Sequence, residues 1–281
     1  MLTMMGAILL DEILRDRFPA WDGMPWILRA GALAMVGWLT RMDDIEALLA
    51  SHAEKRGGAF LDDVFEDLDF SWLVSSCDNA RIPSEGRLVI VANHPLGAMD
   101  ALALLRAVLD VRSDVRVVVN ELLMHVGSLA GHFLPFDMFS ARPRKSDVVA
   151  MGRALEQEAA LLIFPSGDVS RLTTAGLWDR SWFRGAAHLA CKYHAPVLPV
   201  FIGGRNSWVF YVLSFFSRTL AVLLLPRQIF RQRGRTIPLT IGDLIPAKVF
   251  AQSAQITLLR KHVYQLGNNS RNVRSATFGL A

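Results

Sequence analysis

Short apolar runs rich in β-branched residues alternate with amphipathic stretches through the centre of the chain. The runs have no polar face and are bounded by turn residues, which is typical of strands buried on both sides. They lie at 87–93, 115–120, 160–165 and 195–202. Helical patterns separate them, at 100–110, 146–159 and 183–194. This alternation predicts an α/β fold with a mostly parallel central sheet flanked by helices, and a later run at 236–244 is predicted as an edge strand.

Two apolar segments outside this alternation predict further helices. Residues 25–40 form a short apolar helix, and Asp43 with Glu46 resembles a capping box that opens a second helix at 44–52, so together they predict an N-terminal helical hairpin. Residues 208–225 predict one helix that is apolar nearly all round. We interpret it as lying in a membrane interface, because a membrane span would bury the arginine within it. For both segments, a buried helix of a globular core is the alternative.

The pattern also predicts how the chain divides. Residues 1–78 are predicted as a helical, membrane-associated region and 79–266 as the α/β domain. Residues 267–281 are polar and aperiodic, which predicts a flexible tail. Hydrophobic residues make up 52% of the 281 residues and charged residues 20%, which excludes a disordered chain. Two cysteines are too few for a disulfide framework and favour a reducing compartment.

The net charge of +4 conceals a strong asymmetry. Residues 1–140 carry 11 Lys/Arg and 20 Asp/Glu, whereas residues 141–281 carry 19 and 6. A basic half predicts an anionic partner. No reading helix or zinc-ligand spacing accompanies the basic residues, which argues against nucleic acid. The charge therefore favours an anionic membrane surface, and we expect the protein to lie on the cytoplasmic face of a membrane as a peripheral or monotopic protein.

The segment 91–100 carries the strongest chemical motif. A buried strand ends at Asn93 and delivers His94 at its carboxyl end, where functional residues of α/β proteins gather. Gly97 and the proline before it predict a turn, and Asp100 then falls in the first turn of a helix. A histidine whose ring is oriented by a carboxylate can act as a general base. The alternative is a loop histidine beside an ordinary helix N-cap, and the strand-end location favours the base.

This motif, together with three later blocks, resembles the glycerolipid acyltransferases. The sequence NHPLGAMD is most similar to the NHP-x-G-x-x-D motif of the hemolysin-like and lyso-ornithine-lipid acyltransferase branch. The other blocks, in order, are FDMFSARPRK (136–145), FPSGDVSR (164–171) and PVLPV (196–200). In the wider family four residues separate the histidine from the aspartate, whereas five do so here, with Gly97 accommodating the extra residue. Ser166 also stands where the wider family has glutamate, which disfavours a lysophosphatidate acceptor.

The resemblance implies a site and a reaction. His94 and Asp100 are the expected catalytic pair. The expected substrate-binding residues are Asn93, Gly97, Arg142, Arg144, Pro165, Gly167, Asp168, Ser170 and Arg171. For the two arginines before 145, a solvated basic loop is an equal alternative. Backbone amides near Gly167 are candidates for the oxyanion or for the acceptor head group. No metal or organic cofactor is implied.

The resemblance further implies an enzyme that moves a fatty acyl group from a thioester to a lysolipid hydroxyl. The donor is expected to be acyl carrier protein or acyl-CoA, acting as a co-substrate. The acceptor is expected to be a lyso-aminoacyl lipid of the ornithine type, or else a lysophospholipid. Two alternatives stay open: a non-enzymatic membrane-binding protein, which would leave His94 and Asp100 unused, and a lipid hydrolase that uses water in place of the acceptor.

Overall fold

The computed structural model describes residues 20–136, 144–174, 176–217, 223–251 and 255–277, together with positions 11, 14, 15 and 221. The chain divides into two compact units. One comprises Ser71–Arg205 and Arg235–Ala281, and the other comprises Met1–Phe70 and Asn206–Gly234. The two units interleave along the sequence, whereas the sequence pattern predicts one continuous domain at 79–266.

A seven-stranded sheet forms the centre of the larger unit. Its strands are β1 (Ser71–Leu73), β2 (Leu88–Ala92), β3 (Val115–Asn120), β4 (Phe133–Phe136), β5 (Ala160–Ile163), β8 (Val197–Ile202) and β9 (Thr236–Ile241). The remaining two described strands, β6 (Arg171–Thr173) and β7 (Gly176–Trp178), pair with each other in a separate hairpin. The strand order is β1-β9-β8-β2-β5-β3-β4. Among the described pairings of the large sheet, β8 with β9 is antiparallel and the others are parallel. The predicted α/β fold with a mostly parallel sheet is confirmed.

The helices of both units have these bounds: α1 (Trp26–Thr40), α2 (Met42–Ser51), α3 (Gly57–Asp67), α4 (Ser76–Asn79), α5 (Ala98–Leu109), α6 (Lys145–Glu156), α7 (Gly185–Lys192), α8 (Trp208–Phe216), α9 (Leu225–Arg231) and α10 (Gln255–Thr277). Short 3₁₀ turns occupy Glu121–His125, Gly127–Leu129 and Ala247–Ala251. All five residues of β2 are buried, as expected for a central strand whose two faces are covered. The three helices predicted within the α/β domain are found at α5, α6 and α7.

Several predicted boundaries are wrong. The run at 236–244 does not form an edge strand, because the unpredicted strand β1 pairs with β9 and covers it. Of the predicted tail at 267–281, the residues up to Thr277 are helical because α10 continues across them, and 278–281 lie outside the described residues. The predicted single helix at 208–225 ends at Phe216, where Ser217 adopts an extended backbone with φ −151° and ψ 119°.

The N-terminal hairpin is confirmed as α1 and α2, but its turn differs from the predicted capping box. Arg41 has φ 59° and serves both as the C-cap of α1 and as the N-cap of α2. Asp43 therefore lies inside the first turn of α2, where its negative charge interacts favourably with the positive end of the helix dipole. Within the described residues, no helix combines the length and the apolar character needed to cross a membrane.

Candidate active site

The turn after β2 brings the predicted histidine and aspartate together. Gly97 has φ 87° and ψ −123°, a conformation that residues with a Cβ rarely adopt, and it directly precedes α5. The backbone N–H of Leu96 donates a 2.8 Å hydrogen bond to Oδ2 of Asp100. Gly204, at the end of the adjacent strand β8, lies so close that a Cβ there would come within 3.1 Å of the Leu96 side chain. Glycine at these two positions permits the tight turn and its close packing.

His94 and Asp100 form a pair with one side open to solvent. Nδ1 of His94 lies 2.9 Å from Oδ1 of Asp100, and the histidine side chain is 18% exposed whereas the aspartate side chain is fully buried. The imidazole packs on Phe164, with ring centroids 4.2 Å apart. A carboxylate at this distance holds the proton on Nδ1, which leaves Nε2 as the nitrogen able to accept one.

The charges around His94 change its acidity. Burial alone would lower the pKa of His94, but the nearby carboxylates of Asp100, Asp179 and Asp168 outweigh burial and raise this pKa above its ordinary value. The imidazolium is therefore stabilised where it would form during proton abstraction. This field favours a general base at the carboxyl end of β2.

The loop after β5 lies beside the His94 turn and is held mainly by its own hydrogen bonds. Gly167 has φ 59°, and its N–H donates to the carbonyl of Phe164 at 3.1 Å. The N–H of Val169 donates to Oδ1 of Asp168 at 2.9 Å. The carbonyl of Pro165 accepts from the N–H of Phe183. The Gly167 amide, one of the amides expected to bind an oxyanion, is thus already used in a turn.

The three arginines that are predicted to bind substrate lie in different surroundings. Arg171 pairs with the buried Asp168, with Nη2 and Oδ2 3.1 Å apart, so the two form a partly buried ion pair near His94. Arg144 is exposed at the N-terminus of α6. Arg142 lies outside the described residues. A role for any of these arginines in binding substrate stays a prediction.

Asn93 and Ser170, both predicted to bind substrate, are buried and hydrogen-bonded to the protein itself. The Asn93 amide donates to the carbonyl of Ile202 at 2.9 Å and accepts from its N–H at 2.7 Å, which ties the end of β2 to the end of β8. The N–H of Ser170 donates to the carbonyl of His94 at 2.8 Å. These bonds hold the loop that carries the base, and a direct contact with substrate stays a prediction for both.

Asp179 lies at the site, although the sequence pattern does not predict it there. It follows β7 and is 5% exposed. It accepts hydrogen bonds from the backbone N–H of His94 at 3.3 Å, from Nε1 of Trp182 at 2.8 Å and from the hydroxyl of Ser170. The sequence feature that could have indicated it is the segment LWDRSW (177–182), in which this acidic residue lies between two tryptophans.

The turn, the buried carboxylates and the partly open imidazole lie together at the carboxyl end of a central strand of an α/β fold. The Acyltransferase family model matches residues 25–272. The chain therefore belongs to the Acyltransferase family and is an enzyme of acyl-group transfer. The resemblance drawn from the four sequence blocks is confirmed, and the non-enzymatic alternative gains no support.

Two relatives are similar over most of the chain. A lyso-glycine lipid O-acyltransferase from Bacteroides thetaiotaomicron is 30% identical over 252 residues, covering 86% of this chain and 90% of that protein. A lyso-glycine lipid O-acyltransferase from Phocaeicola vulgatus is 30% identical over 220 residues, covering 75% and 77%. The crystal structure of the 1-acyl-sn-glycerophosphate acyltransferase PlsC from Thermotoga maritima aligns over 96% of this chain and 95% of that chain, with 16% identity and a TM-score of 0.48.

Proposed function

We propose that this protein is a lysolipid O-acyltransferase that uses His94 as its general base. The observation that carries the proposal is the 2.9 Å separation of His94 Nδ1 from the buried Asp100 in a chain of the Acyltransferase family. Nε2 takes the proton from the acceptor hydroxyl while the hydroxyl oxygen attacks the thioester carbonyl. The tetrahedral oxyanion then collapses, the C–S bond breaks, and the imidazolium returns the proton to the thiolate. The products are an ester and a free thiol, without an acyl-enzyme.

The proposed acceptor is a lyso-aminoacyl lipid. The two similar relatives are named for lyso-glycine lipid, and Ser166 replaces the glutamate that the wider family has in this block. Ser166 is buried and its hydroxyl donates to the carbonyl of Asp168, so it adds no charge to the loop. Glycine in the names of the relatives makes a glycine head group as good a candidate as ornithine.

We expect purified protein to acylate a lyso-glycine or lyso-ornithine lipid in preference to lysophosphatidate. The two acceptor types would compete for one labelled acyl donor, and lipid products would be separated by mass spectrometry. A preference for lysophosphatidate would move the protein to the phospholipid acceptors. Release of free fatty acid without ester formation would instead support the hydrolase alternative.

The proposed donors, acyl carrier protein and acyl-CoA, are both anionic. Their recognition is supported by the charge of the C-terminal part of the chain, where Asp243 is the single acidic residue in 180–281. Arg184 and Lys192 are exposed at the two ends of α7. The same competition assay, run with each donor in turn, distinguishes the two thioesters.

The activity should fall at low pH. The base must be neutral to accept a proton, so kcat/KM rises as the pH rises through the pKa of His94. Since the surrounding carboxylates raise this pKa above 6.5, the midpoint of the acid limb should lie above pH 6.5. A pH profile of kcat/KM with saturating donor measures it. A midpoint at or below 6.5 would contradict the assignment of His94 as the base in this field.

Membrane attachment is proposed through an apolar surface of the smaller unit. Aromatic side chains on α1 and α8 are largely exposed: Trp26 77%, Trp38 75%, Trp208 66%, Phe215 86% and Phe216 77%. Exposed apolar side chains at this density favour an interface with lipid. The guanidinium of Arg227 lies 6.0 Å from the centre of the Trp38 ring, and Arg231 and Arg233 are exposed nearby in the sequence, which supports binding to anionic head groups.

Changing Phe215 and Phe216 to Asp should weaken binding to both neutral and anionic vesicles, because apolar burial is lost. Changing Arg231 and Arg233 to Gln should weaken binding to anionic vesicles alone, and high salt should have the same effect. Vesicle co-sedimentation measures both. Phe183→Asp, at a residue 69% exposed on the larger unit, is the matched control. Equal sedimentation of all variants would refute the proposed surface.

A further inference from the structure

The carboxylate of Asp179 closes a ring of hydrogen bonds around the backbone of His94. Its Oδ1 accepts from the N–H of His94 at 3.3 Å and from the hydroxyl of Ser170. Ser170 in turn donates its own N–H to the carbonyl of His94 at 2.8 Å. Both backbone polar groups of the proposed base are thus held by one aspartate and one serine.

Asp179 is itself fixed from two further sides. Its Oδ2 accepts from the indole of Trp182 at 2.8 Å, and its backbone N–H donates to the hydroxyl of Tyr264 at 2.6 Å. Tyr264 belongs to α10 and stacks on Trp178, with ring centroids 4.0 Å apart. Nη1 of Arg260, also on α10, donates to the carbonyl of Arg180 at 3.0 Å. The Asp179 carboxylate is therefore held by neutral donors, and no described cationic side chain bonds to it.

The cost of burying this carboxylate indicates a purpose beyond packing. Burial raises the pKa of Asp179, while the hydrogen bonds from Ser170, Trp182 and the His94 amide oppose that rise. Its negative charge also helps to raise the pKa of His94. An apolar side chain in this place would avoid the cost of desolvation but could not hold the His94 backbone or add charge.

We propose that Asp179 is a positioning residue for acyl transfer, which holds His94 through its backbone and through Ser170 and supplies a second negative charge to the imidazolium. The inference rests on the proposed function with His94 as base. Asp100 orients the ring through Nδ1, whereas Asp179 acts on the main chain behind it. Among the described residues, the other charged and titratable groups around this pair are Asp100 of α5, Asp168 between β5 and β6, Arg171 of β6, and Arg260 and Tyr264 of α10.

The test compares Asp179→Asn, which keeps the shape and removes the charge, with Ser170→Ala, which removes one hydrogen bond and keeps the charge. Misplacement of the base should lower kcat about 10- to 100-fold in Asp179→Asn, with KM for donor and acceptor little changed. Loss of the negative charge should also lower the His94 pKa, so the acid limb of the pH profile moves to lower pH. Ser170→Ala should lower kcat less and move the limb less, because Asp179 keeps its carboxylate.

Asp243→Asn is the matched control, because this aspartate side chain is 91% exposed and pairs with Arg81 at the surface. Imidazole NMR of His94, assigned with His94→Ala, measures the pKa without reference to activity. Wild-type kcat in Asp179→Asn, or an unmoved His94 pKa, would overturn the proposal. If Asp179→Asn does not fold, wild-type kcat in Ser170→Ala would overturn it. Loss of transfer in His94→Ala together with unchanged transfer in Asp179→Asn refutes this inference alone, whereas retained transfer in His94→Ala refutes the proposed function.

Discussion

His94→Ala should lose acyl transfer by about 10²–10⁴-fold, the contribution that general-base catalysis supplies. The imidazole is partly exposed and packs on Phe164, so its removal should leave the fold intact. Initial rates with a labelled donor, alongside circular dichroism of the same sample, measure both effects. His262→Ala, at a partly exposed position on α10, is the matched control and should retain activity.

The outcome separates the candidate functions. A folded His94→Ala protein with near wild-type transfer would show that another group takes the proton. Loss of transfer with retained vesicle binding would show that membrane attachment does not depend on the base. Loss of both would point to misfolding, which the spectrum of the same sample detects.

Asp100→Asn should cause a loss of similar order, because the amide changes the tautomer of the base. In the wild type the Leu96 N–H donates to Oδ2 of Asp100. In the variant this N–H would keep the amide oxygen at the same position, so the amide NH₂ would face Nδ1 of His94. Nδ1 would then accept a hydrogen bond and Nε2 would carry the proton, so Nε2 could no longer act as a base. We expect kcat to fall by about 10²–10⁴-fold with little change in KM.

Asp110→Asn provides the matched comparison for this change. Asp110 follows the last residue of α5 and pairs with Arg106 at the surface, so the variant removes the same charge without touching His94. Activity of Asp110→Asn should stay near that of the wild type. A wild-type rate for Asp100→Asn would mean that the carboxylate serves only to close the turn through Leu96.

The sequence by itself determined the α/β fold and the turn that brings His94 and Asp100 together. Runs such as LVIVA have no polar face, and a run of that kind is stable only between two covered faces, so the buried central strand follows from composition alone. The order NHPLGAMD places a histidine after that strand and an aspartate in the next helix, and the intervening glycine permits the turn that joins them. These relations are local, and local patterns are visible along the chain.

Only the tertiary structure decided which distant residues surround His94 and where the outer elements end. Asp179 lies 85 positions from His94 and reaches it through the unpredicted β6–β7 hairpin, so no spacing could indicate the contact. Strand β1 covers β9 through a pairing between Ser71 and Thr236, which made the predicted edge an interior position. The polar stretch at 267–277 is helical as part of α10. Hydrogen bonds and packing between remote segments set these features, because the free energy of each contact depends on a partner that the local sequence does not contain.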